Sequence, residues 1–134
     1  SNRVVDIEVS GFDGGDGEPN SETAARLCRL AFAACGVSDG HAAVELVDDQ
    51  RIRDLNRQYR ARDAATDVLS FPVDGTDSVS GPRELGDIFI CAPLCSSVAE
   101  AVVHGALHLV GMDHETDSGE MLALQSEIMR WHQQ

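Results

Sequence analysis

The chain contains no lysine, so its ten basic residues are all arginines; against 23 acidic residues they leave a formal net charge of −13. That balance excludes indiscriminate adhesion to nucleic acid or to an anionic membrane, and any polyanion must be recognised locally. Long apolar runs are also missing. None approaches the ~20 residues needed to cross a bilayer, and no basic-then-apolar leader opens the chain, so a cytoplasmic protein with no membrane partner is expected. Cysteine is sparse, at positions 28, 35, 91 and 95 with no C-x-x-C, which excludes a disulfide-stapled scaffold and predicts free thiols. Cys28, Cys35 and Cys91 are expected in the core, and Cys91 with Cys95 lacks the second ligand pair that a thiolate zinc site needs. With only six aromatic residues in the chain, Tyr59 and Phe71 are expected to pack in the core rather than to stack on bases.

What remains is ordinary globular usage, 43% hydrophobic and 25% charged, in a length that predicts one domain spanning residues 1–134. Val4 to Val9 alternates as a strand. The Gly/Asp-rich stretch from Gly11 to Asn20 reads as a solvated loop, lacking the order of an EF-hand. Ser21 is expected to cap a helix ending near Cys35 and Gly36, and Ala42 to Val47 is a strand. Asp48 or Asp49 then caps a helix with Ile52, Leu55 and Tyr59 on its apolar stripe, sending Arg53, Arg57 and Arg60 to other faces. Arg51, Arg53, Arg57, Arg60 and Arg62 concentrate positive charge there, although such a run also serves to neutralise nearby acids. Val68 to Phe71, stopped at Pro72, and Ile88 to Cys91 are strands separated by an acidic loop from Asp74 to Arg83. Ser96 or Ser97 caps a helix broken at Gly111, and Asp117 with Glu120 makes a capping box for a last helix carrying Met121, Leu124 and Ile128. The order β-α-β-α-β-β-α-α predicts a mixed α/β layer structure, a small sheet with helices packed on it.

The segment from His104 to His114 carries the chemistry. His104 and His108 are four residues apart on a helix, hence on one face and within reach of one metal ion. Gly111 can adopt the positive φ that reverses the chain and returns His114 as a third ligand. Three neutral nitrogen ligands leave a fourth tetrahedral position for water, which is the arrangement of catalytic zinc. Asp113 and Glu115 beside the third histidine either orient an imidazole N–H or supply a carboxylate near the metal, or else serve capping or solvation. The spacing H-x3-H-x2-G-x2-H also matches zinc peptidases of the metzincin type, whose general base is a glutamate directly after the first histidine. Gly105 occupies that place. Three uncharged ligands keep the full charge of the ion, which suits attack on a phosphodiester. A second constellation, Leu55 to Arg60 followed by Thr66 to Pro72, offers an arginine fork for phosphate, with Asn56, Thr66 and Ser70 as sugar or phosphate ligands.

At these two constellations the sequence resembles the YbeY family of bacterial rRNA maturation factors, from about Val44 to the last helix. The family's HGxLHLxGxDH is met at every specified position by His104 through His114. Its LN-x-x-YR and TDVLSFP stretches are met by Leu55 to Arg60 and Thr66 to Pro72. The interval from Cys91 to His104 is shorter than in typical members, and Ala65 stands where proline is common. The resemblance implies an α+β fold with a small mixed sheet and a zincin-like metal helix. It implies one zinc ion on His104, His108 and His114, and Arg60 as the functionally important arginine; Asn56, Arg57, Thr66, Asp67 and Ser70 are substrate-binding candidates on their own chemistry and position. Asp67 is also a candidate for positioning water or the arginine. The implied activity is single-strand-specific endoribonuclease action on the 16S rRNA precursor of the small ribosomal subunit, in 3′-end maturation and ribosome quality control. The rival expectations are a zinc peptidase and a non-catalytic ribosome-assembly factor with structural zinc.

Overall fold

The structure, a computed structural model, describes residues 5–12, 18–73 and 83–133. The acidic loop expected from Asp74 to Arg83 falls almost wholly outside the described residues, as does the middle of the Gly/Asp-rich stretch after Gly11. Four strands, β1 (Val5–Ser10), β2 (Gly40–Val47), β3 (Val68–Pro72) and β4 (Glu84–Cys91), make one mixed sheet in the order β1-β2-β4-β3. β1 pairs parallel with β2 and β2 with β4, whereas β3 runs antiparallel along β4. The helices are α1 (Ser21–Ala34), α2 (Asp49–Arg60), α3 (Val98–Leu109) and α4 (Glu120–His132). The expected α+β fold is therefore present.

Alternation along β4 divides the core. Ile88 and Ile90 face a large cluster with Leu27 and Phe32 of α1, Val102 and Leu107 of α3, and Met121 and Ile128 of α4. Their neighbours Phe89 and Cys91 turn to the opposite face, where α2 covers them with Ile52 and Leu55. Residues one apart in a strand point to opposite faces, so one strand serves both layers. Cys28 and Cys91 are buried, Cys35 and Cys95 are partly so, and all four are free thiols. The Cys95 thiol donates to the Cys91 carbonyl at 3.2 Å, and burial pushes its pKa up to about 11.

Three local expectations need correction. α1 is capped by Asn20, whose Oδ1 accepts the Thr23 N–H at 2.8 Å, and Ser21 is already helical. The last helix is preceded by Gly119 rather than capped by Asp117, although both Asp117 oxygens accept N–H groups, of Gly119 and Met121, at 2.9 Å. Tyr59 lies outside the core at 60% exposure and meets the half-buried Phe71 edge-on, with ring centroids 5.4 Å apart. α2 is a single layer over the end of the sheet, so a residue near its terminus has nothing beyond it to pack against. The cap of α2 is Asp48, bonded to the Arg51 N–H at 2.8 Å.

On the outer face of the sheet His41 bridges two carboxylates, Nδ1 to Glu84 at 2.7 Å and Nε2 to Glu8 at 3.2 Å. A neutral ring can donate to one of them, an imidazolium to both. The hydrogen bond to Glu84, supported by the one to Glu8, holds the His41 pKa above its ordinary value. Folding thus favours the protonated ring. Its stabilisation is complete below the unfolded value of ~6.5 and disappears as pH rises through the raised folded value. Asp87, raised by burial and by Glu84, shares this face. In denaturant titrations at pH 6 and pH 8.5, wild type should lose more stability with rising pH than His41→Gln; identical slopes would show that the bridge contributes nothing.

A three-histidine centre beside the edge strand

Ser97 caps α3, its hydroxyl accepting the Glu100 N–H at 3.1 Å, and the helix's apolar face is pressed to the sheet. The helical repeat then sets His104 and His108 on one side with ring centroids 4.8 Å apart. Past the helix Gly111 adopts φ +102°, the Met112 N–H returns to the Leu107 carbonyl at 3.1 Å, and the chain reverses. His114 is thereby brought to 5.0 Å from His104 and 5.3 Å from His108, centroid to centroid. One nitrogen from each ring lies within 4.8 Å of the others, a group that can hold a metal ion. Asp113 is taken up by the turn: its side chain accepts the Glu115 N–H at 3.0 Å, and its carbonyl accepts from Thr116 and Asp117.

The donor set suits a borderline divalent ion, since imidazole serves zinc, copper, iron and nickel alike. Burial, reinforced by the neighbouring His104 and His114, lowers the His108 pKa and keeps that ring neutral with a lone pair available. The Nδ1 of His104 lies 2.7 Å from Oε1 of Gln125, a buried residue of α4. An amide oxygen can only accept, so Nδ1 carries the proton and Nε2 is left free. Gln125 was not foreseen from the sequence, because it sits 21 positions away on another helix, in a segment that reads only as amphipathic.

Arg60, the last residue of α2, reaches the same place from the other side of the sheet edge. Its guanidinium donates to the Ser70 carbonyl at 2.6 Å and lies 5.2 Å from the centroid of the Phe71 ring. It lines a cavity of about 410 Å³ together with Ser70, His108, His114 and Glu115. The other arginines of the cluster divide differently. Arg53 pairs with Asp63 at 2.8 Å, and Arg57 pairs with Asp54 at 3.0 Å and with Asp63 at 3.7 Å. Among the described residues Arg60 has no carboxylate partner, so its charge is available to the cavity.

Of the remaining candidates, Ser70 is buried and its hydroxyl donates to the Gly105 carbonyl at 2.9 Å, fastening α3 to β3. Asp67 accepts the Val68 N–H at 2.9 Å and borders a second, smaller cavity on the His104 side. Asn56 is buried and holds the loop after α2 through the Ala64 carbonyl at 2.9 Å. Thr66 contacts Asp67 at 3.4 Å. Asn56, Arg57 and Thr66 line neither cavity. A larger groove of about 620 Å³ around Arg26 and Arg29 of α1 is lined by no histidine, cysteine or aspartate and shares no lining residue with the two cavities at the triad.

The edge strand itself is arranged for this site. Asp67 pairs across to Cys91 and Val73 to Leu85, so the register turns the backbone groups of Val68, Ser70 and Pro72 to the free edge. The Asp67 carboxylate covers the first N–H, Arg60 takes the Ser70 carbonyl, and Pro72 has no N–H to offer. Such an edge is a poor template for an added peptide strand.

Residues 20–133 match the family model described as "Endoribonuclease YbeY". A protein of Rubrobacter xylanophilus with the same description is 42% identical over 130 residues, 92% of this chain and 93% of that one. One from Geobacillus thermodenitrificans is 41% identical over 130 residues, covering 81% and 83%. The solution structure of TM1509 from Thermotoga maritima superposes with a TM-score of 0.55 at 27% identity, over 94% of this chain and 88% of that one.

Proposed function

The chain belongs to the YbeY endoribonuclease family, and from that premise we propose that it is a zinc-dependent, single-strand-specific endoribonuclease of the cytoplasm that matures the 3′ end of 16S rRNA. The observation that carries this reading is the sharing of one cavity by His108 and His114 with Arg60, an arginine with no carboxylate partner among the described residues. His104, His108 and His114 would hold the ion. When bound, zinc supplies Lewis acidity and activates water for attack on a phosphodiester.

Arg60 binds the non-bridging oxygens of the scissile phosphate and neutralises the charge that builds on them. A guanidinium has five N–H donors; the Ser70 carbonyl uses one and, with the Phe71 ring, fixes the plane in which the rest are presented. Among the described residues no fourth histidine, cysteine or carboxylate joins the three imidazoles, which favours an exchangeable position over a closed structural site. The substrate is the precursor strand carried by the small ribosomal subunit, and the whole chain acts as one metallohydrolase domain.

The test is metal content together with cleavage of a 3′-extended 16S rRNA fragment, with and without chelator. Stoichiometric zinc and chelator-sensitive cleavage are expected; cleavage that persists after complete metal removal would sink the reading. Gln125 supplies a second test. Partners that orient a ligating imidazole typically contribute ~10–100-fold to metal affinity. Gln125→Leu should therefore weaken zinc in chelator competition by about that factor, and Gln125→Glu, which keeps an acceptor for the Nδ1 proton, should recover most of it. Equal affinities in all three proteins would remove Gln125 from the site.

A further inference from the structure

On the side of the sheet covered by α2, a row of aromatic rings runs out from the core and ends in solvent beside Arg60. Phe89 of β4 meets Phe71 of the edge strand with centroids 5.8 Å apart, and Phe71 meets Tyr59 at 5.4 Å. The two phenylalanines are half-buried against the cluster of Ile52, Leu55, Leu69 and Cys91, whereas Tyr59 stands 60% exposed. Single apolar side chains on a surface are ordinary, but an exposed ring continuous with a core and bordered by charge marks a contact site. The charge here is Arg60. Its guanidinium lies 5.2 Å from the Phe71 centroid and also lines the cavity that holds His108 and His114. Phe71 therefore fixes two neighbours at once, the guanidinium toward the histidines and the phenol ring toward solvent. A nucleotide whose phosphate rests on Arg60 carries its own base, or that of the next nucleotide, within reach of Tyr59. A flat, uncharged ring is a poor ligand for phosphate and a good one for the face of a base.

Resting on the endoribonuclease reading, we propose that Tyr59 is a stacking platform for the base of a nucleotide next to the phosphate held by Arg60, and that this contact favours single strands over duplexes. Every base has a π-face, so the contact is indifferent to sequence. It is not indifferent to pairing. Inside a duplex both faces of a base are taken by its neighbours, whereas an unpaired base can be splayed out and stacked on an aromatic side chain. One such stack contributes about tenfold in affinity. Tyr59 thus binds the strand, and Phe71, in contact with both the phenol and Arg60, is a positioning residue.

Tyr59 is the chain's single tyrosine, so tyrosine labelling gives NMR ring signals from this residue alone. The zinc-loaded full chain is titrated with a 2′-O-methyl oligoadenylate, with the same backbone stripped of its bases, and with the strand paired to its complement. The base-bearing single strand should move the Tyr59 ring protons upfield, and the abasic strand should not. Tyr59→Ala should bind the base-bearing strand about tenfold more weakly, with less than about twofold change toward the abasic strand and the duplex. Tyr59→Phe, which keeps the ring, should bind all three as wild type does, and both variants should keep their zinc. Equal weakening toward all three ligands in Tyr59→Ala, or ring signals that do not distinguish the base-bearing from the abasic strand in wild type, overturns the platform. Cleavage of the all-ribose strand without any base-dependent shift overturns it too and leaves the nuclease reading standing. Base-dependent shifts at Tyr59 without any cleavage support the platform and reject the nuclease reading.

Discussion

His108→Ala is expected to lose both the metal and RNA cleavage, whereas Arg60→Glu is expected to keep the metal and lose cleavage by at least ~10²–10³-fold. The two residues line the same cavity but stand on different elements, α3 and the end of α2, so the pair separates holding the ion from stabilising charge. Without His108 the remaining rings His104 and His114, 5.0 Å apart, leave a two-ligand site, below the three protein ligands of catalytic zinc sites. Arg60 touches none of the ring nitrogens; it touches the Ser70 carbonyl and the Phe71 face. Removal of one preorganised donor at a charge-developing oxygen costs about two to three orders of magnitude in rate, and the inserted carboxylate adds repulsion of phosphate. Arg60→Lys should recover only part, because a lysine cannot present the same planar fork. Zinc content, thermal denaturation and cleavage are measured on all four proteins. Equal nuclease activity in wild type, His108→Ala and Arg60→Glu rejects the assignment.

The triad was legible because everything that builds it is local: a four-residue helical step, a glycine that can take φ +102°, and a third histidine three positions on. The order of strands and helices was legible for a related reason, since period and turn residues mark elements along the chain, whereas the α+β class came with the family resemblance. Less could be read wherever the outcome depends on what an element packs against. The arginine cluster looked uniform in sequence, yet Asp54 and Asp63 neutralise Arg53 and Arg57 while the sheet edge claims Arg60. Thr66, Asp67 and Ser70 lie close together in sequence, and the pleat sends them to separate tasks. The Ser70 hydroxyl turns inward to Gly105, while the Asp67 carboxylate caps the neighbouring N–H at the strand's start. Asn56 looked like a ligand because its amide is polar; buried, that amide is spent on the Ala64 carbonyl, as buried polar groups usually are on a protein partner.

Placing a side chain at Gly105 is expected to destabilise the fold, and this decides between nuclease and peptidase. On helix propensity alone Gly105→Ala should gain ~1 kcal/mol in mid-helix. Packing runs the other way: a Cβ there would stand 2.6 Å from Ile88 Cγ2 and 3.1 Å from Ser70 Oγ. Neither neighbour has room to move, Ile88 being 1% exposed and the Ser70 hydroxyl bonded to the carbonyl of Gly105 itself. Overpacking typically costs ~1–3 kcal/mol, and disturbing a buried hydrogen bond adds about 1, so the net change should be a loss of about 1–3 kcal/mol. Gly105→Glu would carry a carboxylate into the same contact. Burying an unpaired charge costs far more than a methyl clash, enough against a total stability of ~5–15 kcal/mol to leave little folded protein. The position that carries a general base in metzincin-type peptidases is thus pressed against the sheet here and has no space for one. Denaturant midpoints for both variants test this, and Ile88→Ala combined with Gly105→Ala should be less destabilised than the two single losses added together. A Gly105→Glu protein that folds with the wild-type midpoint and cleaves peptides would reopen the peptidase reading.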